Sequence, residues 1–329
     1  MSEHRLPSYK TTCGTDVSMA ADYLREGMVV AIPTETVYGL ACNAFDEKAV
    51  AEVFRLKNRP FFDPLIVHVS GRDVVSLITS KIPDMAIKLM DAFWPGPLTL
   101  LLPKKPSVPD LVTSGLDTVA VRMPSHPLAV ELLSKLDFPL AAPSANPFGY
   151  VSPTAAEHVL QHFSGSIPYV LDGGPCDVGV ESTIVGFELD DVVVYRLGGV
   201  SVESLTAVAG NVVVRSMSTN KPAAPGMLKS HYAPNVPLRI SSVDDFISNH
   251  DGATTAFISF KDTFLAPGVD VFILSKTGDD MEAARNLFKV MREIDASGFT
   301  QIVAEKMPDF GLCKAINDRL QRAAAPKEP

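Results

Sequence analysis

The sequence has no apolar run near the ~20 residues that a membrane-spanning helix needs. Its first residues, MSEHRLPSYKTT, are polar and contain no signal-peptide core. Both absences predict a cytoplasmic protein with no membrane partner. There is no CxxC pair, and the four cysteines, Cys13, Cys42, Cys176 and Cys313, lie far apart. That excludes a zinc ribbon or a dithiol redox motif and fits thiols kept reduced. Basic residues are not in excess: the net charge is -9. Broad, non-specific phosphate-backbone binding needs a basic surface and is therefore not expected. A small basic pocket remains compatible with an acidic whole. No GxxxxGK[ST] or GxGxxG is present. Gly174 and Gly179 have P-loop spacing, but Val180 and Glu181 stand where Lys and Ser/Thr belong. Glu157-His158 with His162 is not HExxH and has no third ligand, so no protein-held metal is expected.

What is present is a globular composition, with 46% hydrophobic and 20% charged residues in 329 positions. That length suggests two domains. Prolines number 26, and many follow a polar residue, as in Arg59-Pro60, Asn146-Pro147 and Ser152-Pro153. Proline holds the preceding residue extended, which aims polar side chains from loops in fixed directions.

Apolar periodicity predicts strands at 28–33, 65–69, 98–102, 119–123, 169–172, 182–187 and 192–197, with a short strand breaking into a loop at 139–147. Helices are expected from Asp46 to about Lys57, near 83–93, at 127–136, and from a Ser152-Pro153-Thr154 cap to Phe163. Residues 1–215 thus form one mixed α/β unit. Residues 216–237, rich in Pro, Ser and Ala, form a semi-rigid linker. Beyond it, a strand at 254–260, a helix at 279–296, a strand at 300–305 and a helix at 311–324 predict a small parallel, Rossmann-like sheet over 238–329.

Several polar groups sit at strand ends or in proline-pinned loops. Lys57 and Arg59 close a helix, where cations also offset the helix dipole. An anion would use the same pair as a point charge and a planar fork. Thr34 ends the first strand, where open α/β sheets place ligands. His68 and Arg122 lie inside apolar strands, and a buried arginine needs an anionic partner. Ser144 and Asn146 lie between Pro143 and Pro147. Thr118, Ser182 and Arg196 flank strands. Cations with hydroxyls and amides, and no catalytic triad, suit transfer at phosphorus, where positioning and charge neutralisation supply the rate.

IPTETVYGL, LKNRP followed by PLIVHV, APSANP with SPT, and GVESTIV resemble the YrdC-like family, the threonylcarbamoyl-AMP synthases. PGMLKSHYAP and NLFKVMREIDASGF are similar to the linker and extra domain of its two-domain form. The resemblance implies a twisted mixed N-terminal sheet with a concave pocket. It implies that L-threonine, bicarbonate and ATP yield threonylcarbamoyl-adenylate and pyrophosphate. The product would go to a downstream threonylcarbamoyl transferase complex that modifies ANN-decoding tRNAs. Mg2+ would accompany the nucleotide.

Carried onto this sequence, the family's catalytic tetrad falls on Lys57, Arg59, Ser144 and Asn146. Thr118, Ser152, Arg196 and Tyr232 join these four on the ATP side. Thr34, His68, Arg122, Ala142 (through its backbone) and Ser182 match threonine-binding positions. Tyr232 would make 216–237 a lid. Phe61-Phe62-Asp63 and Ser230 depart from the family pattern. The alternatives are an RNA-binding module, a carbamoyl transferase of the same fold, and a threonine or nucleotide sensor without catalysis.

Overall fold

The computed structural model describes residues 9–189, 191–215, 224–249 and 254–326. The N-terminal elements are β1 (Thr12–Gly14), α1 (Val17–Arg25), β2 (Val30–Ile32), β3 (Gly39–Asn43), α2 (Glu47–Lys57), β4 (Ile66–His68), α3 (Arg72–Ile78) and α4 (Asp84–Phe93). They continue with β5 (Leu98–Pro103), α5 (Asp110–Thr113), β6 (Thr118–Arg122), α6 (Pro127–Ser134), β7 (Leu140–Ala141), α7 (Ala156–Phe163) and β8 (Tyr169–Leu171). Next come β9 (Thr183–Glu188), β10 (Asp191–Arg196), α8 (Val202–Ala209) and β11 (Val212–Val214). The C-terminal part holds β12 (Leu238–Ile240), α9 (Val243–Asn249), β13 (Thr255–Ser259), β14 (Val269–Ile273), α10 (Asp280–Asp295), β15 (Gln301–Ala304) and α11 (Cys313–Ala324).

The fold is α/β, with one large mixed sheet and a separate parallel one. Eleven strands run in the order β1-β8-β2-β3-β7-β4-β6-β5-β9-β10-β11. The second sheet, β12-β15-β13-β14, is parallel throughout. In the large sheet β4 pairs with β6 in parallel register, which sets His68 beside Arg122. These central strands are short and apolar at most positions, so a polar side chain among them is placed by the ladder itself.

The predicted α2 forms for the stated reasons. Asp46 caps it, accepting from the N–H groups of Lys48 and Ala49, and the stripe Val50, Val53, Phe54 is buried. The helix ends at Asn58 in the left-handed region, φ 53°. The turn there sends Arg59 back toward the sheet. In α10, Asp279 caps the Glu282 N–H, and Ala283, Leu287, Val290, Met291 and Ile294 are buried as the periodicity requires. At ~1.5–3 kcal/mol for each large apolar side chain buried, this face dominates the C-terminal core.

The helix predicted from Ser152 starts later, at Ala156. Ser152 does not cap it: its hydroxyl donates to Glu181 Oε1 at 2.6 Å. A tertiary carboxylate has taken the hydroxyl from its local use. Helices α1, α3, α8 and α9, and strands β1, β3, β11, β12 and β14, are not expected from the sequence, although α1 buries Val17, Ala20, Ala21 and Leu24 at a helical spacing behind an Asp16 cap. Several are three-residue edge pieces stabilised by a neighbouring strand rather than by their own pattern.

The two parts share one apolar cluster. Val37, Val151 and Val180 pack with Leu287, Phe288, Met291 and Ile316 of the C-terminal helices. Gly179 explains the glycine spacing that resembles a P-loop. Its φ is +75°, and a Cβ there would strike the Arg285 backbone of α10. The glycine admits a helix of the other domain rather than a phosphate.

Candidate active site

A cavity opens over the middle of the large sheet. Its wall includes Thr34, Arg59, His68, Arg122, Ala142, Ser144, Ser182, Arg196 and Tyr232, nine of the thirteen positions singled out above. Lys57, Asn146 and Ser152 stand immediately behind this wall. Thr118 does not join them. It lines a different cavity with Lys81, Lys88 and Tyr195, four residues along β6 from Arg122.

Lys57 is 1% exposed. Its ammonium donates to the carbonyls of Ser144 and Asn146, both at 2.5 Å, so it braces the proline-pinned loop. It stands in the last turn of its own helix as well, where a cation also offsets the helix dipole. Burial drives its pKa well below the ordinary lysine value, Arg59 adds to the shift, and Asp63 opposes it. Asn146 donates to the Pro147 and Tyr150 carbonyls, and its Oδ1 is buried with no partner.

Arg59 forks onto its own turn. Nη2 lies 2.8 Å from Asp63 Oδ2 and 2.8 Å from the Pro64 carbonyl, and Nε donates to the Asp63 carbonyl. Sequence reasoning treated Asp63 only as a departure in the pocket rim. It is fully buried, whereas Phe61 and Phe62 point to solvent. The signal was its i,i+4 spacing from Arg59. Arg196 donates to the Ser182 carbonyl and hydroxyl and to the Pro225 carbonyl. Neither Lys57 nor Arg196 has a carboxylate at ion-pairing distance among the described residues.

Arg122 is held from one side. Nη2 pairs with Glu35 Oε1 at 2.6 Å, Nη1 donates to Thr36 Oγ1 at 2.8 Å, and Nε reaches the Gly96 carbonyl. Two of its five N–H donors remain. Thr34 closes a hydroxyl-bonded turn after β2, donating to the Val37 carbonyl at 2.6 Å. Glu35 and Thr36 complete the TET stretch as orienting groups. His68 is buried, and its Nδ1 has no partner. Burial, then the neighbouring Arg122, lowers its pKa to about 3, so the imidazole is neutral. The backbone of Ile66 and Leu140 opposes that shift by hydrogen bonding, as is common for a core histidine.

The linker forms the roof. Pro225, Gly226, His231 and Tyr232 all line the cavity, while residues 216–223 of the predicted lid lie outside the described residues. Tyr232 is buried and stacks on Phe288 of α10. Beneath this roof about 50 Å3 stays free. That holds a few waters, against the ~300–1,000 Å3 of ordinary small-molecule sites. Among the described residues no three His, Cys, Asp or Glu side chains cluster as a cation site. The carboxylates here, Glu35, Asp63 and Glu181, already pair with arginines. No helix among these residues is long and apolar enough to cross a membrane.

Two family models match the chain. A family model described as telomere recombination, covering Sua5, YciO and YrdC proteins, matches residues 22–198. A second, the C-terminal domain of threonylcarbamoyl-AMP synthase, matches residues 200–325. The chain is 41% identical over 322 residues to the threonylcarbamoyl-AMP synthase of Pyrococcus abyssi, covering 94% of each protein. It is 40% identical over 326 residues to that of Bacillus subtilis, covering 95% of this chain and 94% of the relative. Among solved structures, P. abyssi Sua5 complexed with L-threonine superposes with a TM-score of 0.88 at 38% identity, over 95% of this chain and 97% of that one.

Proposed function

Because the chain belongs to the Sua5–YciO–YrdC family and carries the C-terminal domain of threonylcarbamoyl-AMP synthases, we propose that it joins L-threonine, bicarbonate and ATP into threonylcarbamoyl-adenylate for tRNA modification. It is a nucleotidyl-transferring enzyme. The observation that carries the reading is the surplus of buried positive charge around one cavity. Arg59, Arg122 and Arg196 line it and Lys57 backs it, yet only Glu35 and Asp63 offset them directly. Unpaired buried cations cost several kcal/mol, and an anionic substrate offsets that cost.

On this reading the threonine carboxylate takes the two free N–H donors of Arg122, whose plane Glu35 and Thr36 hold. His68, neutral and with Nδ1 unpartnered, and Ser182 meet the amine or the hydroxyl. Thr34 and the Ala142 backbone close that end. The free amine and bicarbonate form a carbamate, releasing water. A carbamate oxygen then attacks the α-phosphorus in line, and pyrophosphate leaves with its bridging oxygen. Arg59, Arg196 and the loop of Ser144 and Asn146, stiffened by Lys57, neutralise charge on the phosphates. Ser152 and Tyr232 hold the nucleotide from the linker side. Thr118 belongs here only if the triphosphate reaches along β6 past the Leu101–Ala120–Met227 cluster.

Among the described residues no cluster of three His, Cys, Asp or Glu side chains offers a cation site. Mg2+ therefore enters as part of the substrate, on the nucleotide's phosphates, and no step is routed through it. Since the roof leaves little room, the linker has to move for ATP to enter, which is the lid role for 216–237. Transfer of the product to a downstream threonylcarbamoyl transferase, a cytoplasmic setting and negligible direct tRNA affinity complete the proposal.

The test is pyrophosphate release from ATP, with threonine and bicarbonate each present or withheld. Release that needs both is expected. Release indifferent to threonine overturns the reading.

A further inference from the structure

We propose that Arg319, on the last helix, is a positioning residue through which the C-terminal domain builds the nucleotide side of the active site; this rests on the synthase reading above. Arg319 has no solvent exposure although it belongs to the other domain. Its Nε lies 2.8 Å from Glu181 Oε2. Its Nη2 donates to the Leu197 carbonyl at 2.8 Å, next to Arg196. Its guanidinium sits 5.0 Å from the centre of the Tyr232 ring. Nη1 pairs with its own neighbour Asp318, which Arg322 also grips at 3.0 Å. Arg322 in turn donates to the Leu228 carbonyl of the linker.

One planar fork thus reaches three walls at once. Glu181 passes the restraint on, because its second oxygen accepts from Ser152 at 2.6 Å. Leu197 fixes the end of the strand that carries Arg196. The Tyr232 face rests against the cation. Ser152, Arg196 and Tyr232 are the groups assigned to the nucleotide. Most of the threonine side is anchored without Arg319. Glu35 and Thr36 hold Arg122, and Thr99 meets the Ser182 hydroxyl, which is the one group there that Arg196 also touches. Lysine has neither the fork nor the flat face, so charge alone does not replace this residue.

The separation predicts an asymmetric kinetic defect. In the full-length enzyme, KM for ATP and for threonine are measured separately for R319M, E181Q and the double variant. Each single change is expected to raise KM for ATP about tenfold, the scale of one lost charge-assisted hydrogen bond. KM for threonine should stay within about twofold, and the double variant should be no worse than the poorer single one, because both act through one link. Equal rises in both constants, no rise at all, or effects that multiply in the double variant would overturn the proposal. Should R319M fail to fold, E181Q alone carries the same split, since it keeps the shape of the acid and removes its charge. Wild-type enzyme releasing pyrophosphate without threonine would defeat the synthase reading instead, which separates the two failures.

Discussion

Arg59 and Asp63 form an ion pair at 2.8 Å with side chains 5% and 0% exposed, four residues apart on one turn. Asp63 is the counter-charge that Arg59, Lys57 and Arg196 share. Burial pushes its pKa up, and Arg59 and Lys57 pull it back.

Asp63→Asn leaves the cations without that charge. Stability without ligand should fall by about 3 kcal/mol, the usual cost of breaking a buried pair from one side. Added pyrophosphate should restore more melting temperature to the variant than to the wild type, since it supplies the missing charge. Equal ligand-induced shifts in the two proteins would show that Asp63 and phosphate do not serve the same cations.

Lys57→Ala removes the donor to two loop carbonyls. From sequence alone, turnover is expected to fall much further than thermal stability. The buried ammonium changes that expectation: both should fall. Two unsatisfied carbonyls cost about 2 kcal/mol in urea unfolding. Turnover should drop roughly a hundredfold, because the loop bearing Ser144 and Asn146 shifts. Full turnover in a destabilised variant would make Lys57 a strut and nothing more.

Gly226 has φ +75°, and a Cβ there would lie 3.1 Å from both Arg196 Nη1 and the Tyr232 hydroxyl. Gly226→Ala combines about 1 kcal/mol of backbone strain with displacement of those two groups. KM for ATP should rise several-fold at modest loss of melting temperature. An unchanged KM would mean that the roof does not set nucleotide affinity.

A buried histidine, His68, and a half-buried one, His158, make stability depend on pH. The pKa of His68 falls from 6.5 to about 3, first by burial and then by Arg122. The pKa of His158 falls to about 4, by burial and then by Arg292. The folded state therefore binds fewer protons than the unfolded chain. The stability involved is complete above pH 6.5 and is lost as pH falls toward 3, at up to about 1.4 kcal/mol per unit for each histidine. His68→Gln should flatten the decline between pH 6.5 and 4 measured by urea unfolding. A decline as steep as the wild type's would assign it to other groups.

Much of the site was readable before the fold. Arg122 was legible because a lone arginine in VAVRM has to meet an anion, and Glu35 does so. Lys57 was read as a cation for an anion site, and its use as a loop brace was not legible. That use depends on where Ser144 and Asn146 come to lie, 87 and 89 positions away. Ser152 was read as a cap because Ser-Pro-Thr favours a helix start locally. Glu181, 29 residues on, took its hydroxyl. The three-residue edge strands stayed hidden because they have too few positions for a period, whereas α1 was overlooked although Val17, Ala20, Ala21 and Leu24 are spaced as a helix requires.

The amino-acid sequence by itself determined the long amphipathic helices, the apolar strands, the two-part division of the chain and the inventory of cations and hydroxyls. Each of these follows from local spacing and side-chain chemistry. Only the tertiary structure decided which polar groups share a cavity, that Asp63 answers Arg59, and that Arg319 crosses from the last helix to Glu181. Those pairings cost desolvation and are recovered by contacts between segments far apart in the chain, so no local pattern records them.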